Sequence, residues 1–303
     1  MERWGVIYCP KVGARHSHRR WEEIRTMLTE QGVDYDFVQS EGRGAEQRLA
    51  VMLVKNGYTT IIVVGGDGAL NRVVNGIAEL GMDTLSRIKL GLIPNGHGND
   101  FATFWGLKPA EVERSVMALV KGRTRKIDLG VVQNGTGSVH YFLNCVNVGL
   151  ASCIFDIKYK AHRFSYFSEL TYVYNALVLL FHRLDNHIHL KINHEQLDQR
   201  LMTLCISSCR GYGQTPSAVP YNGMLDVSAV QQPRVTQLFH GLMLLFRGHF
   251  MNFKDAIHYR TDGVIDILKT DGAQVSVDGQ LLPEVKAPLQ VKIIREAITL
   301  IIP

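Results

Sequence analysis

The chain has 303 residues, of which 46% are hydrophobic and 20% are charged, so it has the composition of an ordinary globular protein. This length predicts two domains. The formal net charge of +5 is compatible with a polyanionic ligand or an anionic membrane surface and specifies neither. The five cysteines are scattered and include no CxxC pair, which argues against a disulfide framework and predicts reduced thiols in the cytosol. No signal-like segment opens the sequence and its apolar stretches are too short to span a bilayer, so we expect a soluble protein.

The first 128 residues alternate between strand and helix patterns. Strands are predicted at residues 4–8, 35–38, 59–64 and 88–93, and the run at 59–64 has the apolar composition of a strand buried on both faces. Helices are predicted at residues 17–31, 44–55, from about 69, and at 111–122. In the helix at 44–55 the expected apolar stripe is Ala45, Leu49, Met52 and Leu53. Such alternation predicts a parallel sheet covered by helices on both faces.

Two of the strand-to-helix crossings are rich in glycine. The first is Gly65-Gly66-Asp67-Gly68, and the second follows Pro94 and continues to Ala102. Glycines allow close approach of a ligand to the backbone, and a helix N-terminus favours a phosphate there. Asp67 would act through Mg²⁺ or cap its helix, and Asn99 or Asp100 would cap the next one. Loops at the carboxyl ends of neighbouring parallel strands share one crevice, which is the expected ligand site.

After Asp128 the sequence changes to strands rich in Val, Thr and Ile, including a single predicted strand at residues 141–148. This pattern predicts a β-sandwich. The expected fold class is therefore α/β, with an N-terminal parallel-sheet nucleotide-binding domain at residues 1–128 and a C-terminal β-sandwich lipid-binding domain at 129–303. Whether the last strand returns toward the first domain is left open. Two helical patterns, at residues 166–182 and 236–247, interrupt the sandwich, and the first would either line a lipid cleft or cover the core.

Several familiar signatures are absent. The sequence has no GxxxxGK[ST] phosphate loop, no GxSxG nucleophile motif, and no HExxH or zinc-ligand spacing. Basic groups at residues 15–20 and 121–126 would attract phosphates or an anionic membrane, or they are simply solvated surface.

The glycine motifs resemble those of a known family. Residues 65–76, GGDGALNRVVNG, are similar to the GGDGTLNEVVNG signature of diacylglycerol-kinase-type lipid kinases, a superfamily that also includes sphingosine, ceramide and bacterial lipid kinases and, more distantly, NAD kinases. Residues 94–102 are similar to the family's PLGTGNDFA. Further matches lie at 127–130, 222–227 and 277–279, so the resemblance covers nearly the whole chain.

The resemblance implies transfer of the ATP γ-phosphoryl group to the hydroxyl of diacylglycerol or a related lipid. By position, the residues expected to hold ATP are Pro10, Lys11, Gly13, Ser40, Gly65, Gly66, Asp67, Gly68, Ala69, Asn71, Arg72, His97 and Asn99. Asp67, Asp100 and Asp128 would organise Mg²⁺ and the phosphates, and Asn222 matches a second, structural Mg²⁺ site. Gln280 occupies the position of the general base, and Asp278 is a candidate substitute.

The sequence departs from the family pattern at positions close to the chemistry. Gln280 replaces the Glu base and Asn222 replaces an Asp, while Ala69 and His97 each replace a Thr. The alternative hypotheses are therefore a weakly active or inactive protein that binds nucleotide or lipid and, less favoured, a small-molecule kinase of the NAD kinase type. The expected partners are ATP, a membrane lipid and, transiently, an anionic membrane, but no nucleic acid. A homodimer is left open, and the expected location is the cytoplasm at the inner membrane surface.

Overall fold

The computed structural model describes residues 3–10, 16–42, 44–96, 98–153, 186–231 and 249–303, together with 234, 237, 240, 241, 243, 244 and 247. The chain divides into two compact units. The first contains residues 1–129 and 295–303, and the second contains residues 130–294. The helix predicted at 166–182 lies outside the described residues, as does half of the one predicted at 236–247.

The first unit contains the predicted parallel sheet. Its strands are β1 (Trp4–Tyr8), β2 (Tyr35–Gln39), β3 (Thr60–Gly65) and β4 (Lys89–Pro94), in the order β2-β1-β3-β4 and all parallel. The end of β15 (Leu289–Ile301) runs parallel to β4. The helices are α1 (His16–Glu30), α2 (Ala45–Lys55), α3 (Asp67–Ala78), α4 (Met82–Arg87), α5 (Asp100–Phe104) and α6 (Val112–Lys121).

Helix α3 is placed by its apolar face. Leu70, Val73, Val74 and Ile77 are all buried, as their helical spacing predicts. On the same helix, a Cβ atom at Gly76 would lie 2.6 Å from the backbone oxygen of Gln47 in α2, so the two helices are packed too closely for any side chain there. Every residue of β3 is buried, which confirms the prediction of a strand covered on both faces.

The apolar stripe predicted for α2 is only partly correct, because Leu53 is buried as predicted but Ala45 and Leu49 are only half-buried. Met52 is exposed, and the buried residues of this helix are Glu46, Ala50 and Leu53. The helix is rotated because Glu46 faces inward and forms an ion pair with Arg72 of α3. A periodicity of apolar residues does not reveal a carboxylate that is buried by such a partner.

The second unit is an antiparallel β-sandwich. It contains part of β5 (Thr124–Asn134), β6 (Val139–Phe142), β7 (Cys145–Gly149), β8 (Asn186–Ile192), β9 (Glu195–Ser207), β10 (Leu225–Gln231), β11 (Ala256–Thr261), β12 (Ile265–Lys269), β13 (Val275–Val277), β14 (Gln280–Leu281) and the first part of β15. The long strand β9 pairs with β8 through its first half and lies between β7 and β10 in its second half. Alternating residues on these strands form one apolar core that includes Val146, Ile206 and Val227.

The strand predicted at residues 141–148 is interrupted. Leu143 and Asn144 separate β6 from β7, because their backbone N–H groups donate to the carboxylate of Asp278 instead of to a neighbouring strand. The sequence analysis also missed α4, β11 and β14.

Candidate active site

The two glycine loops of the first unit touch each other through their backbones. They follow β3 and β4, which are adjacent, and Asn95 N–H donates to the Gly65 carbonyl at 2.8 Å. A Cβ atom at Gly96 would lie 2.5 Å from the Cα of Gly66, and one at Gly66 would lie 2.9 Å from the Cα of Gly96. Contacts this short exclude any side chain, so both positions require glycine.

Asp67 ties the two loops together. It is the first residue of α3, and its carboxylate accepts the backbone N–H groups of Asp100 at 2.9 Å and Phe101 at 3.1 Å. It therefore caps α5, a helix that the sequence analysis did not assign to it. The signal could not be found locally, because the capped residues lie 33 and 34 positions away in sequence.

Asp67 and Asp100 direct carboxylate oxygens toward one small region above Gly98. A Cβ atom on Gly98 would lie 3.2 Å from Oδ2 of Asp100 and 3.4 Å from Oδ2 of Asp67. Two negatively charged groups that face the same space repel each other, and a bound cation offsets that repulsion. The arrangement is suited to a divalent cation.

Asn99 closes the second loop. Its backbone has a left-handed φ of 57°, its Oδ1 accepts the Gly96 N–H at 2.8 Å, and its Nδ2 donates to the Gly96 carbonyl at 2.8 Å. Asn99 occupies the position before α5, but its side chain makes no capping hydrogen bond to that helix. The amide therefore shapes the glycine loop, and Asp67 does the capping.

Other residues predicted to hold nucleotide have structural contacts of their own. Ser40 is buried and its hydroxyl donates to the Gly42 carbonyl at 2.9 Å. Asn71 is buried and its Oδ1 accepts the side-chain N–H of Asn75 at 3.2 Å. Ala69 is buried next to Gly65, and a Cβ atom added at Gly65 would lie only 2.8 Å from the Cβ of Ala69. Pro10 follows Cys9, whose backbone N–H donates to the Val64 carbonyl. Lys11, Gly13 and His97 lie outside the described residues.

Arg72 forms a bidentate ion pair with Glu46. Its Nε and Nη2 donate to the two carboxylate oxygens, each at 2.9 Å, and the side chains are only 17% and 5% exposed. Burial alone would raise the pKa of Glu46, but the hydrogen bonds and charge of Arg72 outweigh it, and that pKa lies below its usual value. Burial, reinforced by the charge of Glu46, raises the pKa of the nearby Cys9 thiol to about 12, which disfavours its thiolate form at neutral pH.

Asp128 stabilises the backbone of the last strand. It is 2% exposed, and its Oδ1 accepts the N–H of Glu296, a residue with a left-handed φ of 53°. Among the described residues no group of three or more His, Cys, Asp or Glu side chains is arranged to hold a metal ion.

In the second unit, Asp278 and Gly279 form a two-residue hairpin loop between β13 and β14. Their φ angles of 45° and 73° are both left-handed, as a type I′ turn requires, and Val277 pairs with Gln280 across it. The Asp278 carboxylate accepts three backbone N–H groups, from Leu143, Asn144 and Cys145, at 2.8 to 3.0 Å. Gln280, at the position of the predicted base, opens β14 and is half-buried.

Asn222 uses its side chain within its own turn. It is exposed, and its Oδ1 accepts the N–H of Met224 at 3.0 Å. Sequence reasoning also missed residues that the structure makes prominent. The predicted apolar stripe of α2 left out Glu46, which is buried, and nothing in the sequence indicated that Asn144 would be buried.

The comparisons with known proteins agree with this arrangement. A family model described as the diacylglycerol kinase catalytic domain matches residues 3–132, and one described as the YegS C-terminal NAD kinase beta sandwich-like domain matches residues 145–302. The chain belongs to the diacylglycerol kinase-like lipid kinase family. The catalytic-domain match contains both glycine loops, and the sandwich-domain match contains the hairpin of Asp278 and Gly279.

Named relatives cover most of the chain. The diacylglycerol kinase of Bacillus subtilis (strain 168) is 23% identical over 285 residues, which are 92% of this chain and 90% of the relative. That of Staphylococcus epidermidis is 27% identical over 280 residues, or 91% and 84%. A crystal structure described as a diacylglycerol kinase from Bacillus anthracis has a TM-score of 0.69 at 18% identity, covering 100% of this chain and 97% of that one, which shows a shared fold. Among the residues that the structure describes, no helix is long and apolar enough to cross a membrane.

Proposed function

We propose that this protein is an ATP- and Mg²⁺-dependent lipid kinase that phosphorylates the hydroxyl of diacylglycerol or a related lipid. The observation that carries the proposal is the backbone contact of Gly66 with Gly96, with oxygens of Asp67 and Asp100 directed to the space beside it. The glycines leave the backbone of both loops open, and the first loop lies at the start of the twelve-residue helix α3, where phosphates can approach the positive end of the helix dipole.

The residues present fit a magnesium–nucleotide complex. Mg²⁺ is commonly held by one or two carboxylates together with substrate phosphates, and Asp67 and Asp100 supply such a pair. Asp128 is proposed as a further ligand on the family resemblance alone. When bound, the ion would neutralise charge on the transferring phosphoryl group. The hydrogen bonds of Asp67 to the α5 backbone fix the orientation of its carboxylate, so the two loops and the acid form one preorganised unit.

In the proposed reaction the lipid hydroxyl oxygen bonds to the γ-phosphorus while the bond from that phosphorus to the ADP oxygen breaks. The hydroxyl proton must leave, and Gln280 cannot accept it. The carboxylate of Asp278, the candidate substitute, already accepts three backbone N–H groups. In a loose transition state the attacking oxygen needs little prior deprotonation, so water can take the proton at a reduced rate. Loss of a general base typically lowers a rate by about 10²- to 10⁴-fold.

Gln280 also favours a second candidate function. A family member that binds nucleotide and lipid but transfers phosphate very slowly would retain the glycine loops and lack the base. The Asn222 turn is consistent with this alternative, because an amide replaces one carboxylate of the expected structural Mg²⁺ site.

Labelled ATP separates the candidates. Purified native protein and the Gln280→Glu variant would be incubated with labelled ATP, Mg²⁺ and, in turn, diacylglycerol, sphingosine, ceramide and NAD. Labelled lipid from the native chain supports the kinase, and we expect Gln280→Glu to raise its rate. Labelled lipid from the variant alone supports the second candidate, which binds nucleotide and lipid but transfers phosphate very slowly. Labelled NADP would exclude both candidates.

A glycine variant tests the nucleotide site independently of turnover. Mg²⁺–ATP should raise the melting temperature of the native chain, because a ligand that binds the folded state stabilises it. Gly96→Ala should remove most of this shift, since its Cβ would meet the Gly66 backbone. The matched control is Gly42→Ala, whose Cβ would have nothing within 4 Å. A native chain that shows no shift at millimolar ATP, or a full shift in Gly96→Ala, would exclude this site.

A further inference from the structure

The connection between β10 and β11 contains a short helical stretch with one outward face. The described residues between 237 and 244 are helical, and the Arg247 N–H donates to the Met243 carbonyl at 3.1 Å, which continues the helical turn. His240, Met243 and Arg247 are spaced three and four residues apart, so they share one face of the helix. All three are exposed.

The opposite face of this stretch packs on the second unit. A Cβ atom at Gly241 would lie 2.9 Å from the ring of Phe253, so the helix lies directly against that ring. Leu244 packs against the small apolar cluster to which the ring belongs. The buried members of this cluster are Leu150, Met202, Val230, Phe250 and Phe253. Packing on the inner side therefore fixes which side chains face outward.

Two methionines of the connection are exposed. Met243 is 41% exposed on the helical stretch, and Met251 is 43% exposed in the 3₁₀ turn Phe250–Asn252. Their neighbours Leu244 and Phe250 pack in the same apolar cluster, which brings the two methionines to the same part of the unit. Long, unbranched methionine side chains adapt to irregular apolar surroundings, so they suit a partner without a fixed shape.

The charged residues of this connection all have the same sign. In the sequence no Asp or Glu lies between Asp226 and Asp255, whereas Arg234, Arg247 and Lys254 lie in this interval and are exposed. Cations around exposed apolar side chains are complementary to an anionic membrane. The cations meet the lipid headgroups, and the apolar side chains enter the boundary between headgroups and acyl chains.

The same charges disfavour other occupants of this surface. In a symmetric pair of chains the surface would face its own copy, and Arg247 and Lys254 would repel their equivalents. A nucleic acid would pair with the cations but would leave the methionines without an apolar environment. The choice of a membrane also rests on the proposed function, because the lipid acceptor of the reaction lies in a membrane.

We propose that Met243, Arg247, Met251 and Lys254 form a docking surface for an anionic membrane, called here the β10–β11 surface. The methionines insert among the headgroups, and the two cations contact lipid phosphates. The β10–β11 surface belongs to the second unit, whereas the basic residues at 121–126 belong to the first. Salt screens contacts between charges but not apolar insertion, so the methionine contribution should persist at high ionic strength.

Sedimentation with vesicles of phosphatidylcholine and phosphatidylserine, without ATP, tests the methionines. Met243→Gln keeps the length and helix propensity of the side chain but removes its apolar end. We expect it to lower the partition coefficient about 3- to 10-fold, and Met251→Gln to lower it by a similar further factor. Both losses should be the same at about 0.1 M and about 0.5 M salt.

The matched control for Met243→Gln is Met52→Gln. Met52 also lies in a helix and is also 41% exposed, but it belongs to α2 of the first unit. This variant should bind vesicles as the native chain does. Equal binding by the native chain and Met243→Gln/Met251→Gln, or an equal loss in Met52→Gln, would overturn the proposal.

Arg247→Gln/Lys254→Gln tests the charged part of the surface. Removal of two cations near an anionic membrane should lower the partition coefficient about 30-fold at low salt. This loss should shrink as ionic strength rises and should be absent with vesicles of phosphatidylcholine alone. Lys191→Gln/Lys292→Gln removes the same charge at two other exposed lysines of the second unit. An equal loss in that control would overturn the role of Arg247 and Lys254.

The other occupants and the proposed reaction are measured separately. Variants of the β10–β11 surface that lose self-association or DNA binding, but bind vesicles as the native chain does, would overturn the membrane proposal. Because sedimentation uses no ATP, its outcome is independent of turnover. Vesicle binding as expected, with no labelled lipid from the native chain or Gln280→Glu, would reject the kinase and keep the docking surface. Unchanged vesicle binding in the variants of an active kinase would reject the docking surface alone.

Discussion

Glu46 and Arg72 form an ion pair behind the first glycine loop, and each charge stabilises the other. Arg72 lies five residues after Asp67 in α3, and both of its donating nitrogens are 2.9 Å from Glu46 oxygens. The Glu46 carboxylate also accepts the N–H of Gly44 at 2.9 Å, so it joins the start of α2 to α3. We therefore regard Arg72 as a residue that fixes the helix behind the phosphate loop, whether or not it also contacts nucleotide.

The pKa of Glu46 gives this pair a pH signature. Since that pKa is lower in the folded protein than its ordinary value of 4.5, the ionised carboxylate stabilises the fold above about pH 4.5, and this contribution is lost as pH falls through the lowered pKa. Glu46→Gln should lower the free energy of unfolding by about 1–3 kcal/mol at neutral pH, because Arg72 loses a buried counter-charge. Its deficit relative to the native chain should shrink as the pH is lowered below 4.5.

Urea unfolding of both proteins across this pH range measures the difference. Glu113→Gln serves as the control, because Glu113 is exposed in the first turn of α6. A Glu46→Gln deficit that is the same at acid and neutral pH would contradict the charge-based explanation.

At the scale of elements, the hairpin of β13 and β14 organises the polar loops of the second unit. Its two left-handed residues are Asp and Gly, a pair that is favoured in type I′ turns, and the turn directs the Asp278 carboxylate toward three N–H groups of the β6–β7 connection. The motif therefore has a structural role, joining the loop of Asn144 to the strand of Gln280.

Asp278→Asn should be strongly destabilising for this reason. Asparagine tolerates a left-handed φ, so the turn itself is kept. However, an amide offers one oxygen where the carboxylate offers two, and its NH₂ group faces N–H donors. We expect a loss of about 2–4 kcal/mol, since buried N–H groups become unpaired. The Asp271-Gly272 turn supplies the matched control, because Asp271 has the same φ of 45° with an exposed side chain. Equal denaturation midpoints for Asp278→Asn and Asp271→Asn would show that the three N–H hydrogen bonds to Asp278 do not stabilise the fold.

The sequence predicted elements whose determinants are local. The β3 run, the glycine break and the apolar face of α3 lie within about twenty consecutive residues, and both the strand and the helix were correctly identified. What it could not supply are contacts between distant positions that compete with local patterns. The Glu46–Arg72 pair rotates α2, Asp67 caps a helix 33 residues away, and Asp278 interrupts a strand more than 130 residues before it.

At the scale of the whole molecule, a lipid kinase must reach its acceptor in a membrane. The basic residues at the end of α6 and just after it are all exposed: Lys121, Arg123, Arg125 and Lys126. The Lys126 ammonium donates to the Ser86 carbonyl at 3.0 Å, which holds it near the α4 helix. We propose that this cluster contacts the anionic inner surface of the membrane transiently, as the net charge of +5 allows.

The double variant Lys121→Glu/Arg123→Glu should weaken binding to vesicles that contain anionic lipid. Each basic residue near such a surface contributes about 1 kcal/mol, and each reversal also adds repulsion, so we expect a fall of at least about 30-fold in the partition coefficient at low salt. The effect should shrink as ionic strength rises, because the Debye length falls from roughly 30 Å at 0.01 M to 10 Å at 0.1 M salt. Sedimentation with phosphatidylserine-containing vesicles measures the bound fraction. Lys191→Glu/Lys292→Glu makes the same change in net charge at two exposed lysines of the second unit. Equal losses in the two double variants would show that net charge, rather than this cluster, governs membrane contact.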